Sequence, residues 1–332
     1  MKSKNIKLIG FSLFAIALVI IAPFFGIENI SLNSIIESQS ADSSYNIFWR
    51  IRIPRILLSF IVGSSLAISG MAFQAMFRNA LATPFTLGVS SGAAFGAALY
   101  VKVGIIFSII GVSGQTISAF LGALLSILVV YSLTRLKRDF SVGTMLLAGV
   151  AINFFFSSFI LFIQYISDFN SSFKIIRWLM GGFEIIGYSD IYRILPFVLI
   201  GAIIITSLSR ELNLITLGDD IALSRGVSVV KIKNILFFAT SLMVGGVISI
   251  VGPIGFVGMM VPHISRLIIG NDHKHLSILN ILFGGTFLVF CDVISRVVIP
   301  PAEIPIGVIT ALLGGPFFIW LLINNKTNYN SG

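Results

Sequence analysis

The sequence predicts an all-α protein that crosses a membrane about ten times, with both termini cytoplasmic. Three observations carry this. Of 332 residues, 56% are hydrophobic and only 11% charged, against roughly 25% charged in a soluble domain. The mean hydropathy is +1.02, more apolar surface than one soluble core absorbs. Apolar runs also recur along the whole chain at about 20 residues, the length a helix needs to span a ~30 Å hydrocarbon core. A soluble enzyme, a nucleic-acid-binding module and a disordered chain are excluded.

The first run, 8–25, follows Lys2, Lys4 and Lys7. It exceeds a signal-peptide core and no small-x-small site follows it, so it reads as a retained first helix. Further runs lie at 56–77, 85–101, 112–134, 145–166, 191–208, 232–252, 254–270, 276–299 and 304–323. The third and eighth are short or broken by Gly and Pro. Such segments survive at membrane depth only where protein or a water-filled cavity satisfies their backbone. Gly88, Gly92, Gly96, Gly245, Gly246, Gly314 and Gly315 suit close helix–helix approach. No long linker divides the chain, so 1–332 reads as one domain.

Lys and Arg set the orientation. With the N-terminus inside, most of them fall in inside segments, among them Arg135, Lys137, Arg138, Arg210, Lys231 and Lys274. The net charge of +9 then belongs to cytoplasmic loops rather than to a nucleic-acid surface. Cys291 is the single cysteine, which excludes an intrachain disulfide and a cysteine metal cluster. The outer side is anomalous in holding Arg50, Arg52 and Arg55 directly before the second span. Headgroup snorkelling is one reading; docking of an acidic partner is the other.

Several motifs occur in order: Arg52-Ile-Pro-Arg55, the run Gly63 to Asn79, Gly88-Val-Ser-Ser-Gly92 and Met145-Leu-Leu-Ala-Gly-Val150. Leu217-Gly218-Asp219, Gly255-Phe-Val-Gly258, Pro262-His263 with Arg266, and Glu303-Ile-Pro-Ile-Gly307 follow. From about 45 to 323 the chain resembles the FecCD-type permease subunits of type II ABC importers for iron–siderophore, haem and cobalamin. It departs at Asn79-Ala80, where the family has Pro after Asn, which bears on the loop before the third span.

The resemblance implies ten helices per subunit and a second permease subunit, identical or paralogous, around a shared pathway. It also implies two ATP-binding subunits inside, an extracytoplasmic substrate-binding protein, and residence in a bacterial or archaeal cytoplasmic membrane. No G-x-x-x-x-G-K-[ST] loop occurs, so ATP and Mg belong to the partner ATPase, and no cofactor or metal is expected on this chain. The longest polar inside stretch, 209–233, carries Asp219 and Asp220 at a helix start after Gly218, and Gly226 as a stop. The family implies that Leu217, Gly218, Asp219, Asp220, Ala222, Arg225 and Gly226 couple to the ATPase. It implies a cytoplasmic gate at Ser141, Val142 and Gly143, and docking of the binding protein at Arg52, Arg55 and Arg296. Asp292, four residues before Arg296, is placed to pair with it. Asn153 either lines the path or makes an interhelical hydrogen bond.

The expected function is the pathway subunit of an ATP-driven importer for an iron chelate, with haem and cobalamin as alternatives. An ion-coupled carrier is the rival, but such carriers place ionisable groups at the midplane, where this chain is nearly bare. Gly111-Val112-Ser113-Gly114 with His263 imitates a protease pair, yet the two fall toward opposite sides. His273 and His275 read as loop histidines.

Overall fold

In a computed structural model, the described residues are 2–26, 28, 43–136, 142–183 and 186–324. Seven helices there are long and apolar enough to cross a membrane, and Val89–Val103, Val257–Ile269 and Ile306–Leu321 are shorter apolar helices. Together they fall on the ten runs of the sequence. In chain order the helices are α1 (Lys2–Ile21), α2 (Ile53–Phe77, led in by Ser43–Asn46 and Ile47–Arg52), α3 (Val89–Val103) and α4 (Gly114–Leu136). Next come α5 (Val142–Tyr165), α6 (Phe169–Leu179), α7 (Ser189–Ser207), α8 (Ser209–Leu217) and α9 (Asp219–Ser224). The last four are α10 (Val229–Val251), α11 (Val257–Ile269), α12 (His273–Val297) and α13 (Ile306–Asn324). A two-stranded antiparallel hairpin, with Ser108 opposite Ser113, joins α3 to α4.

α6 is the helix that hydropathy did not announce. It is too short and too polar to register as a span, and it starts where the Asp168 carboxylate accepts from the Ser171 backbone N–H at 3.1 Å.

The bundle is organised around α2, which is buried along almost its whole length. Lipid is as apolar as leucine, so small residues that admit close backbone contact hold such helices together. A methyl group at Gly63 would meet the Gly284 carbonyl of α12, and one at Gly70 the Gly258 carbonyl of α11. Gly92 and Gly96 of α3 lie equally close to Gly122 and Ser118 of α4. Of the other glycines expected at contacts, Gly246 faces Phe197 and Gly314 faces Phe256, whereas Gly315 has open space beside it. Serines add polar ties: Ser64 of α2 donates to the Ile281 carbonyl of α12 at 2.7 Å.

The two interrupted segments take defined shapes. After α2, Arg78 adopts a left-handed conformation at φ 47°. Asn79 then closes the turn, its side-chain oxygen accepting from the Leu81 N–H at 2.9 Å, so the turn forms without a proline. A single 3₁₀ turn, Pro84–Leu87, is capped by Thr83 and Thr86 before α3 begins. The second break runs from Gly252 (φ 71°) to Phe256 (φ 65°), between α10 and α11.

Candidate translocation pathway and coupling surface

Both broken segments border open space. One cavity of about 270 Å³ is lined by Thr83, Pro84, Phe85 and Thr86 from the first break and by Gly255, Phe256, Gly258 and Met259 at the second. A second, of about 460 Å³, is lined by Ser90, Ser91, Ser157 and Gln164, with Pro253 from the second break. Phe85 and Asn153 line both. This is the arrangement that irregular backbone at membrane depth demands. Among the described residues, none lining either cavity is ionisable.

Asn153 makes the interhelical hydrogen bonds that were one of its two readings. Its amide donates to the Phe85 carbonyl at 3.2 Å and to that of Thr86 at 3.4 Å. Its oxygen accepts from Ser91 Oγ at 2.7 Å. The residue ties α5 to the first break and to α3 while facing the cavities.

α12 spans 25 residues, about 37 Å at 1.5 Å per residue, and it separates two polar ends of the molecule. At its C-terminal end the three arginines meet. Arg55 Nε donates to Asp292 Oδ1 at 2.7 Å and its Nη1 reaches Glu303 at 2.7 Å. Arg296 Nη2 lies 3.0 Å from Asp292 Oδ2, the i,i+4 pair anticipated. Arg52 donates to the Pro23 and Glu28 carbonyls at 3.0 and 2.6 Å. The sequence pointed to exposed docking groups; instead Arg52, Arg55 and Arg296 are only 5, 7 and 4% exposed. Internal carboxylates and carbonyls already occupy their guanidiniums, because a buried arginine must be paired. Arg50 carries exposed positive charge at this rim.

At the other end, α8 and α9 form a helical corner after α7. Gly218, at φ 139° and ψ 147°, makes a turn that a side chain would strain. Asn213 of α8 holds the start of α12: its amide donates to Asp272 at 3.0 Å, and its oxygen accepts from the His273 N–H at 2.9 Å. Asp219 of α9 is bound by Lys233 of α10 at 2.6 Å. The outer surface is apolar, with Leu217 66%, Ile221 46% and Leu223 57% exposed. Asp220, Arg225 and Gly226 are exposed beside them. Ala222 is a correction to the expected surface: fully buried, it packs between Ile215 and Val229 and supports the corner from beneath.

Asp272, just outside α12, has its pKa lowered to about 2, first by the Asn213 amide and then by His275. His273 and His275 are not loop residues. They open α12, His273 buried against Asn213 and the partly exposed His275 beside Asp272. Among the described residues no cluster of His, Cys, Asp and Glu could hold a metal ion.

Of the expected gate, Ser141 lies outside the described residues, Val142 opens α5, and Gly143 is exposed with open space around it. Ser113 of the hairpin pairs with Thr116 in the first turn of α4, and His263 stands edge-on to Phe317. Neither is the other's partner, so no nucleophile–base pair forms. Sequence reasoning missed Lys233, Asn213 and Gln74; a lysine and an amide inside apolar helices were the available signals.

A family model described as the FecCD transport family matches residues 13–324. Among curated relatives, the hemin transport system permease protein HmuU of Yersinia pestis is 34% identical over 325 residues, covering 96% of each chain. The cobalamin import system permease protein BtuC of Halobacterium salinarum is 38% identical over 275 residues, 82% of this chain and 72% of the relative. Among solved structures, an inward-facing ABC transporter of metal-chelate type superposes with a TM-score of 0.84 at 31% identity, covering 97% of this chain and 99% of the other.

Proposed function

This chain belongs to the FecCD transport family, a multi-span ABC permease of the cell membrane, and on that footing we propose that it forms half of the pathway of an ATP-driven importer for an iron chelate. The observation that carries this is the pair of cavities meeting at Phe85 and Asn153. Their lining is neutral, which suits a bulky cargo whose metal charge is masked by its own ligands. It offers no ionisable group for proton or sodium coupling. The relatives named for hemin and cobalamin make those cargoes the alternatives.

In this reading a second permease subunit, identical or paralogous, completes the conduit, with Ser141, Val142 and Gly143 at its inner constriction. Two ATP-binding subunits, which supply the ATP and Mg chemistry, seat on the apolar corner of Leu217, Ile221 and Leu223. An extracytoplasmic binding protein docks on the rim that Arg52, Arg55 and Arg296 brace. The buried arginines shape that rim, and its encounter charge comes from groups such as Arg50.

The test is uptake by the assembled transporter in proteoliposomes, with a ferric siderophore, hemin and cyanocobalamin as probes. Uptake of the ferric siderophore that requires ATP and the binding protein is expected. Uptake of hemin or cyanocobalamin alone moves the cargo to an alternative. Uptake driven by an ion gradient without ATP overturns the proposal.

A further inference from the structure

Pro262 lies inside α11. Proline has no N–H, so the carbonyl four residues back loses its helical donor. That carbonyl belongs to Gly258, which lines the smaller cavity together with Met259. A side chain of another helix fills the vacancy. Gln74 of α2, only 3% exposed, shares its amide N–H groups between the Gly258 carbonyl at 3.4 Å and the Met259 carbonyl at 3.2 Å. Its oxygen accepts from Arg266 one turn beyond the proline, at 2.5 Å. One amide therefore spans both sides of the proline. It does so one turn from Gly70, whose backbone rests on Gly258.

We infer that Gln74 is a positioning residue of the transport pathway: it substitutes for the hydrogen bond that Pro262 removes and so fixes the Gly258–Met259 wall of the cavity. The wall is tied in this way to α2, and Arg78, directly after that helix, places its guanidinium beside the Gly218 corner between α8 and α9. A carboxylate at 74 keeps a partner for Arg266 but turns acceptors toward two carbonyls, so the donor function is specific to the amide. The inference rests on reading the cavity as part of the pathway.

The experiment compares Gln74→Ala, Gln74→Glu, Pro262→Ala and the double variant Gln74→Ala with Pro262→Ala in the assembled transporter. The readouts are hydrogen exchange of the 257–269 segment and uptake of the three probes named above. Gln74→Ala and Gln74→Glu are expected to speed exchange by about threefold to tenfold, the range that one buried hydrogen bond represents, and to slow uptake. Pro262→Ala returns a backbone N–H to Gly258, so the double variant is expected to regain slow exchange and uptake. If the single variants fail to assemble, assembly of the double variant supports the inference equally. A double variant no better than Gln74→Ala, or a Gln74→Ala variant that exchanges like the parent, overturns it. A parent transporter that carries none of the probes with ATP strikes the pathway reading instead and leaves the exchange result standing.

Discussion

Arg55 and Asp292 meet at 2.7 Å across 237 residues of sequence, joining the start of α2 to the last turns of α12. Asp292 is fully buried and also faces Arg296. Asp292→Ala strips two buried guanidiniums of their shared counterion, and breaking such a set costs about 3–5 kcal/mol. Thermal unfolding of the purified protein is expected to show a marked loss. Adding Arg296→Met should return part of it, since one of the uncompensated charges is then gone. An unchanged melting curve for Asp292→Ala counts against the brace.

Lys233 and Asp219 tie α9 to α10 at 2.6 Å. The aspartate is partly exposed, so the pair contributes on the order of 1 kcal/mol or less to stability. Its weight lies in the angle at which the apolar corner is presented. Lys233→Met should leave folding near normal but lower the number of probe molecules carried per ATP hydrolysed. Exchanging the two charges, Asp219→Lys with Lys233→Asp, should restore that ratio. A ratio unaffected by Lys233→Met rejects the role.

Asn153→Leu keeps the branched shape of the side chain at the shared wall of the cavities and removes the bonds to Phe85, Thr86 and Ser91. Interhelical bonds of this kind average about 0.6 kcal/mol in membrane proteins, so assembly should survive. Uptake should fall well before stability does. Equal losses of both in parallel assays would assign Asn153 to packing alone.

The Asn213 amide and His275 hold the Asp272 carboxyl at about 2, below the ordinary aspartate value of 3.8. The folded value is the lower one, so the stabilisation is complete above about pH 4 and disappears as the pH falls through about 2. Melting temperatures of the parent and of Asp272→Asn should therefore differ at neutral pH and converge toward pH 2. A gap that stays constant over that window refutes the assignment.

The ten apolar runs were legible because lipid imposes a length and a composition on each crossing. The interruption of the third and eighth runs, 85–101 and 254–270, was legible too, since Gly and Pro at membrane depth require protein or a cavity, and two cavities border both. Asn153 and the Asp292–Arg296 pair also showed, through an amide in an apolar helix and an i,i+4 spacing. α6 escaped because hydropathy measures crossing and not amphipathic helices of 11 residues. The burial of Arg52, Arg55 and Arg296 escaped for another reason: Arg52 meets Pro23 and Glu28, Arg55 meets Asp292 and Glu303, and Arg296 meets Phe25 through tertiary packing, which no local window contains. Ala222 sits among exposed neighbours in sequence and underneath them in space.

The wiring of α2 bears on how the chain is made. Its polar groups find their partners only much later in synthesis: Gln74 waits 184 residues for Gly258, Ser64 waits 217 for Ile281, and Arg55 waits 237 for Asp292. At ~5–20 residues per second, those delays are on the order of ten to fifty seconds. For that interval the arginine at the start of α2 is without its internal counterions, and the polar anchoring of that helix is complete only once the ninth crossing and Glu303 beyond it have been made.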